Sequence, residues 1–424
     1  MKKPYNNPVP GDSVEITINE KIERGVLLES HDTGILLLKL DNGYNIGYKK
    51  EDISEIKILE KIKKEEPEKN ITILKNKPLI HFYLTGGTIS SKLDPKTGGV
   101  KDLTKPEEFF SLYPEILDIV NIDIKVPFTK FSENMNSADW IKLAKLVGKS
   151  LNDPHVKGVI ISHGTDTLHY TGAALSFMLG KVNKPVVLTY SQRSSDRGSS
   201  DSRLNLICSA NAALSDIAEI MIIGHATTND DYCYALQANK TRKMHSSRRD
   251  AFKPVNSKPI AKILNDQIEI LRECNKRNNE KVKVDAVFDN RVALIKFHPG
   301  QSPDILDYYK KKGYRGLVVE MTGLGHVAVE GKFNWIPKLK EHIKKGMFIY
   351  AVPQTIYGRL DPYVYSTGRK LSDIGVVFLG DILPECAFVK LGWVLGHKEW
   401  RGSVATKHKM LENINNEFNK RLEE

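Results

Sequence analysis

The stretch Leu79-Ile-His-Phe-Tyr-Leu84, followed directly by Thr85-Gly-Gly-Thr-Ile89, decides the fold of this 424-residue chain. The first six residues form a short, mostly apolar run bounded by a turn signal, which predicts a buried β-strand. The two glycines let the backbone turn sharply and approach a ligand, and they project two threonines from one tight loop. In open parallel sheets, ligands bind at the carboxyl ends of strands, so this loop marks a candidate site. Taken alone, the same pattern also fits a turn that holds a phosphate.

A second segment, Gly158-Val-Ile-Ile-Ser-His-Gly-Thr-Asp-Thr-Leu168, repeats this order of apolar strand, glycine turn and helix start. Asp166 by itself is compatible with a simple helix cap or a first-turn carboxylate that the helix dipole favours. Because both loops follow predicted strands, we expect them to open on the same edge of one sheet. That pairing favours a shared site over two unrelated turns.

Strands and helices alternate around these two segments. The predicted strands are 79–84, 158–162, 185–190, 219–224, 292–297, 317–321 and 348–352. The predicted helices are 106–116, 137–151 (with Ser137 as its N-cap), 167–180, 201–215, 302–311 and 338–345. This alternation predicts an α/β fold in which helices cover both faces of a parallel sheet.

The N-terminal region has a different pattern. Residues 9–59 contain four or five short apolar runs separated by turn signals, and Asn42-Gly43 between two of them is typical of a hairpin. We therefore predict a small, closed β-barrel, followed by a charged linker at 60–69. A second charged stretch at 273–283 resembles another linker. The expected domains are 1–75 (barrel and linker), 76–283 (large α/β domain) and 284–424 (smaller α/β domain).

Charge and cysteine content narrow the class of protein. The formal net charge is +11, but residues 1–75 have thirteen Lys and Arg against fourteen Asp and Glu, so that region carries −1 and the remainder +12. Four scattered cysteines without a CxxC pair indicate neither a zinc site nor a redox motif, and no metal is expected. No apolar run approaches the roughly 20 residues of a membrane span, and we expect a cytoplasmic protein that does not contact membranes.

The motifs T-G-G-T-I and H-G-T-D-T-L together resemble the two signatures of the bacterial-type L-asparaginase/glutaminase family, in the right order and spacing over about residues 78–410. The resemblance implies an asparaginase-like fold of two parallel-sheet domains and hydrolysis of a side-chain amide. By position, it implies that Thr88 is the nucleophile and that Thr165 and Asp166 complete the centre.

The family also has a lysine a fixed distance before a phenylalanine. Counting back from Phe252 places it on Lys243, with Lys240 as the rival because few residues hold the register. A threonine hydroxyl is a poor nucleophile until a base takes its proton. The resemblance therefore implies that Asp166 orients Lys243 and that Lys243 polarises Thr165, as in a generalised triad.

The resemblance further implies a binding site for the α-carboxylate and α-ammonium groups of a free amino acid. Ser132 and Glu133, with Asp166, fall where the family holds the α-carboxylate and α-ammonium groups, although Glu133 stands where Gln is commoner. Backbone N–H groups of the loops at Gly87 and Gly164 are expected to stabilise an oxyanion.

One family feature is missing. Members carry a tyrosine on a loop soon after the nucleophilic threonine, but residues 89–112 contain none and Tyr113 is the first. Either another residue activates Thr88, or the loop closes only when a partner binds.

The extra N-terminal region resembles the D-subunit family of the archaeal glutamyl-tRNA(Gln) amidotransferases. That resemblance implies release of ammonia from glutamine (or asparagine) to a partner, the E subunit, which uses ATP and Mg²⁺ to convert Glu-tRNA(Gln). It also implies a homodimer within a heterotetramer, and no cofactor bound by this chain. The alternatives are a free-standing L-asparaginase and a non-catalytic RNA-binding protein on the same fold. The −1 balance of residues 1–75 argues against RNA binding there, since RNA-binding domains are basic.

Basic residues cluster between positions 240 and 253. They are Lys240, Arg242, Lys243, Arg248, Arg249 and Lys253. The cluster is either a charged loop over the candidate site or a surface that contacts tRNA or another acidic partner.

Overall fold

The computed structural model describes residues 7–30, 32–41, 44–61, 77–93, 100–102, 112–194 and 199–421. The Asn42-Gly43 turn, most of the 60–69 linker and most of the 106–116 helix lie outside these residues. No helix in the described part of the chain is both long and apolar enough to cross a membrane.

The N-terminal region forms one antiparallel sheet of five strands. They are β1 (Ser13–Ile18), β2 (Lys21–Leu28), β3 (Ile35–Leu40), β4 (Asn45–Lys49) and β5 (Ile53–Glu60). Alternate side chains of β1 and β3 pack into a small core because successive residues of a strand point to opposite faces. The strand order is β4-β3-β2-β1-β5. The small antiparallel domain is therefore confirmed, but closure into a barrel is not seen: among the described residues, the edge strands β4 and β5 do not pair.

The large α/β unit contains the next twelve strands. They are β6 (Leu79–Leu84), β7 (Ser91–Leu93), β8 (Val100–Asp102), β9 (Asn121–Lys125), β10 (Val156–Ser162), β11 (Val186–Thr189), β12 (Ile220–His225), β13 (Cys233–Gln237), β14 (Thr241–Lys243), β15 (Phe252–Pro254), β16 (Ala261–Leu264) and β17 (Gln267–Ile270). Eight of them form a sheet in the order β17-β16-β13-β12-β11-β10-β6-β9. Strands β12 to β9 in this order are parallel, as predicted. The antiparallel edge of β13, β16 and β17 was not predicted.

Helices cover both faces of this sheet, and a third unit follows. The helices are α1 (Ile116–Ile119), α2 (Ser137–Leu151), α3 (Leu168–Met178), α4 (Ser202–Leu214), α5 (Ile305–Lys311), α6 (Ile336–Lys344), α7 (Ser366–Asp373), α8 (Pro384–Gly396) and α9 (Ser403–Leu411). Strands β18 (Val292–Lys296), β19 (Gly316–Met321), β20 (Phe348–Pro353) and β21 (Val377–Phe378) form a parallel sheet in that order. Helix α8 packs against α3, so the two α/β units share one apolar core.

Within the described residues, most predicted elements agree with the structure to within three residues at each end. The helix cap was wrong. Asn136, not Ser137, caps α2: the Asn136 side chain accepts from the Ala138 N–H at 2.9 Å, and Asp139 completes a capping box. Ser137 instead donates to the side chain of Asn290 at 2.6 Å.

The charged stretch 273–283, predicted as a linker, is held to the large unit. Arg277 donates to the backbone carbonyls of Ala213, Lys157 and Ser215. Asn275 donates through its backbone and its side chain to Glu219, at 2.9 and 2.8 Å. These contacts explain how so polar a segment is ordered without an apolar core of its own.

Candidate active site

The two glycine loops begin at the same level of the sheet. Leu84, the last residue of β6, is paired with Ser162, the last residue of β10. Thr85 extends this pairing, because its N–H and its hydroxyl both donate to the Ser162 carbonyl, at 3.3 and 2.6 Å. Thr85 is fully buried. The first threonine of the motif thus joins the two strands, while Thr88, three residues later, opens a 3-10 turn and is half-buried.

Gly87 and Gly164 bring the loops into direct contact. Gly87 has φ +89°, which favours glycine, and a Cβ placed on it would lie 2.5 Å from the Gly164 nitrogen and 2.7 Å from its Cα. Real Cβ atoms do not approach backbone so closely, so no side chain fits here. A Cβ on Gly164 would in turn lie 2.8 Å from the Cβ of Ser132. The residue that follows each glycine is a threonine, so Thr88 and Thr165 both lie next to this contact.

Lys243 joins the site from another part of the chain. Its Nζ donates to Thr165 Oγ1 and to Asp166 Oδ1, both at 2.7 Å. The Lys243 side chain is 10% exposed and that of Asp166 is 64% exposed, so the ion pair joins a covered amine to a carboxylate that is largely open to water. Lys243 is opposite Phe252 in the β14–β15 hairpin, the residue from which its position was counted.

Lys240, the rival lysine, lies elsewhere. Its Nζ is 2.7 Å from Asp381 Oδ2 in the second α/β unit, and the two side chains are 3% and 1% exposed. The structure thus brings Lys243, and not Lys240, to Thr165 and Asp166.

Ser132 is hydrogen-bonded to the loop that contains Gly164 and Thr165. Its hydroxyl accepts from the Asp166 N–H at 3.2 Å, and its carbonyl accepts from the Thr167 hydroxyl at 2.6 Å. Ser132 is buried, whereas Glu133, the next residue on the same 3-10 turn, is exposed. Ser132 therefore fixes the loop and lies beside it, and the Glu133 carboxylate faces solvent.

Two buried histidines next to the site were not assigned from the sequence. His163 bonds through Nδ1 to the Gly164 carbonyl at 2.7 Å and through Nε2 to the Thr171 hydroxyl at 2.8 Å. Burial lowers the pKa of His163 to about 4, and burial, assisted by the nearby Arg242 charge, lowers the pKa of His169 to about 3. Both rings are therefore neutral near pH 7, and His163 orients the peptide at Gly164. His163 stands inside the H-G-T-D-T motif, which was the available signal.

Tyr113, the first tyrosine after Thr88, lies close to the nucleophile loop. It is buried, and its hydroxyl donates to the Ile89 carbonyl at 3.1 Å, one residue beyond Thr88. Residues 94–99 and 103–111, between Thr88 and Tyr113, are outside the described part of the chain. The observed bond uses the Tyr113 hydroxyl to hold the loop backbone.

Every cation of the basic cluster at 240–253 is paired within the molecule, although the six cations share five carboxylates because Asp250 contacts two of them. Each of its six cations lies within 3.1 Å of a carboxylate: Lys240–Asp381, Arg242–Glu385, Lys243–Asp166, Arg248–Asp250, Arg249–Asp230 and Lys253–Asp250. Paired charges attract a phosphate backbone less than free ones. This pattern favours a charged loop that supports the site over a surface for tRNA. Across the described residues, no group of three or more His, Cys, Asp or Glu side chains has the arrangement of a metal site.

This fold and this arrangement of side chains define an asparaginase-type protein, and family models agree. Residues 79–276 match the model "Asparaginase, N-terminal", residues 291–406 match "Glutaminase/Asparaginase C-terminal domain", and residues 9–59 match "GatD N-terminal domain". The thermostable L-asparaginase from Thermococcus kodakarensis superposes with a TM-score of 0.72 at 27% identity, covering 81% of this chain and 100% of its own.

Curated relatives narrow the class. The D subunit of the glutamyl-tRNA(Gln) amidotransferase of Pyrococcus abyssi is 46% identical over 92% of this chain and 88% of its own. The protein of the same name from Archaeoglobus fulgidus is 43% identical over 91% and 90%. The chain belongs to the D-subunit family of the glutamyl-tRNA(Gln) amidotransferases, and it is an amidohydrolase subunit of the glutaminase type.

Proposed function

We propose that this chain hydrolyses the side-chain amide of glutamine (or asparagine) with Thr88 as nucleophile and supplies the ammonia to an amidotransferase partner. One observation carries the proposal: Lys243 Nζ bridges Thr165 and Asp166 at 2.7 Å, where the two glycine loops touch. A hydroxyl, an amine and a carboxylate in this order form the relay that a threonine nucleophile needs.

In the proposed reaction, Thr88 Oγ attacks the amide carbon and Thr165, polarised by Lys243, relays its proton. Backbone N–H groups of the loops at Gly87 and Gly164 stabilise the oxyanion, an effect worth about 3 kcal/mol per donor. Ammonia leaves with the relayed proton, and water then hydrolyses the ester on Thr88. Asp166 keeps Lys243 in place throughout.

We assign the grip on the amino acid to Ser132, Glu133 and Asp166. Glu133 is exposed and Asp166 largely so, which leaves both carboxylates open to contact with an α-ammonium group. Buried Ser132 anchors the loop next to them. Holding the substrate in a fixed orientation accounts for a large part of the rate enhancement, because a freely rotating substrate seldom places its amide carbon next to the nucleophile.

The proposed partner is the E subunit of an amidotransferase, which receives the ammonia and uses ATP and Mg²⁺ to convert Glu-tRNA(Gln) to Gln-tRNA(Gln). This chain needs no bound cofactor in the scheme. We expect it to form a homodimer within a heterotetramer, in the cytoplasm. The names of the relatives and the match to an N-terminal domain that lies outside the asparaginase fold support this assignment.

Thr88→Ala and Thr165→Ala test the chemistry. Each variant is expected to release ammonia from glutamine at less than about a thousandth of the normal rate while its melting temperature stays within a few degrees, because hydroxyls are removed and little packing changes. Lys240→Ala and Lys243→Ala compare the buried lysine paired with Asp381 and the lysine at the site. Normal turnover in a folded variant removes that residue from the scheme.

A second candidate, a free-standing L-asparaginase, is favoured by the full coverage of a solved asparaginase by this chain. The two are separated by measuring ammonia release with and without the partner protein and Glu-tRNA(Gln). A clear increase supports the amidotransferase role. Full activity that neither addition changes supports the free enzyme. The third alternative, a non-catalytic RNA-binding protein, is disfavoured by the intact Thr165–Lys243–Asp166 relay.

A further inference from the structure

A buried ion pair lies three residues before the lysine of the candidate site. Lys240 and Asp381 are joined at 2.7 Å and are almost fully withdrawn from water. Asp381 belongs to the second α/β unit, in the turn between β21 and α8. Since a buried charge is costly unless it is paired, each partner holds the other in place. The pair thus fixes the backbone at Lys240 to the second unit.

Arg242 makes a second contact with the same part of that unit. Its Nη2 is 3.1 Å from Oε1 of Glu385, which is 8% exposed and lies in the first turn of α8. Arg242 and Lys243 are consecutive on strand β14, so their side chains leave opposite faces. One face is held by the second unit and the other presents Lys243 to Thr165.

Both ends of the Lys240–Asp381 pair are themselves fixed. The other Asp381 oxygen accepts from the Asn419 N–H at 2.9 Å, near the end of the described chain. The Lys240 carbonyl accepts from the Val255 N–H at 2.9 Å, which extends the β14–β15 pairing at the open end of the hairpin. The pair therefore fixes the position of the β14–β15 hairpin relative to the second unit, in addition to neutralising two buried charges.

We propose that Asp381 and Glu385 are positioning residues for amide hydrolysis: through Lys240 and Arg242, the second α/β unit sets the place of the Lys243 ammonium group between Thr165 and Asp166. This inference rests on the proposed function. A lysine side chain has a flexible four-carbon stem, so its terminal group stays in register only if its backbone does. A displacement of about 1 Å in such a group costs about a hundredfold in rate.

The test uses the full chain, with kcat and KM for glutamine and a melting curve for each variant. Asp381→Asn and Glu385→Gln are expected to lower kcat at least about tenfold and to leave KM within about threefold, because Ser132 and the two loops are untouched. Asp381→Glu and Lys240→Arg keep an ion pair and are expected to restore most of kcat.

Stability and positioning are separated by a double variant. In K240M/D381L, apolar side chains replace the pair, which often preserves stability. We expect its melting temperature to approach that of the wild type while kcat stays low. If Asp381→Asn does not fold, this variant and Glu385→Gln decide the question.

A matched control is Asp289→Asn. Asp289 is a buried carboxylate of the second unit, 2.8 Å from Arg291, and it does not contact residues 240–243. Its loss is expected to lower the melting temperature and leave kcat unchanged. If Lys243→Met keeps its turnover, the proposed function itself fails. If Lys243→Met is inactive while Glu385→Gln and K240M/D381L both turn over within threefold of wild type, only the positioning role is wrong.

Discussion

Gly87 and Gly164 are the residues on which the geometry of the candidate site depends. Thr88, Thr165 and Asp166 lie on the two loops, and Lys243 and Ser132 are hydrogen-bonded to the second one. The contact is between backbones, so it tolerates no side chain, in contrast to Thr88 or Glu133, which face open space at least in part. The two glycines therefore matter for the shape of the site, whereas the threonines are proposed to matter for its reactivity.

Gly87→Ala is expected to lose amide hydrolysis by at least about a hundredfold, because the added methyl group pushes the two loops apart and φ +89° is strained for alanine. Ammonia release and a melting curve measure this. Gly402→Ala is the control, since a Cβ there meets nothing within 4 Å. A Gly87→Ala enzyme with normal kcat would show that the contact is dispensable.

His163 makes stability depend on pH. Its folded-state pKa of about 4 lies below the value of about 6.5 expected when the chain unfolds, so the unfolded chain binds the extra proton between these values. The contribution is fully present above pH 6.5 and is lost as the pH falls towards 4, by about 3 kcal/mol.

Urea unfolding at several pH values between 7 and 4 checks this expectation. His163→Gln should flatten the loss of unfolding free energy over that range, while His155→Gln, at an exposed position, should leave the slope as it is. Equal slopes for His163→Gln and wild type would mean that burial does not lower the pKa of His163 in the folded chain.

At the scale of strands and helices, the sequence predicts some contacts of the site and not others. Thr88, Thr165 and Asp166 sit in contiguous motifs at strand ends, so their meeting follows from the parallel order of β6 and β10. The ion pair of Lys240 joins residues 141 positions apart. No pattern in the sequence near either residue predicts it.

Three predictions differ from the structure because they depend on contacts between residues far apart in the chain or on weak local patterns. The N-cap of α2 was misassigned because Asn136 and Ser137 are adjacent good caps, and the choice depends on Asn290 far along the chain. The antiparallel edge β13, β16 and β17 was missed because these strands are short and only partly apolar. Barrel closure was expected from strand count alone, which does not determine whether edge strands pair.

The cap of α2 gives a prediction at this level. Asn136→Ala is expected to lower the free energy of unfolding by about 1 kcal/mol, since it leaves the Ala138 N–H without its acceptor. Chemical denaturation measures it. Asn134→Ala, two residues earlier and exposed, should change stability by less than about 0.5 kcal/mol. The reverse order of effects would mean that the cap lies elsewhere.

The molecule as a whole combines one small sheet with a larger two-unit body. The core of the sheet consists of residues from β1 to β5, such as Val14, Ile16 and Leu38. The two α/β units, in contrast, share a core that spans residues 83 to 410. We therefore expect the two α/β units to unfold together and the N-terminal sheet to be separable from them.

A chain that begins at Lys77 tests this separation. It is expected to fold, to melt within a few degrees of the full chain and to hydrolyse glutamine within about threefold of the normal rate, because every residue of the site lies beyond position 84. Calorimetry and an ammonia assay measure both properties. Loss of folding would show that the sheet is part of the main cooperative unit.

The glycine contact also has a consequence for how sequences of this kind can diverge. Because no atom can be inserted between positions 87 and 164, the two loops cannot drift separately in length or shape. Randomising either position alone should yield almost no active clones, whereas a library that also varies the opposite loop should yield some. The two signatures are thus expected to tolerate change only together, although they lie far apart along the chain.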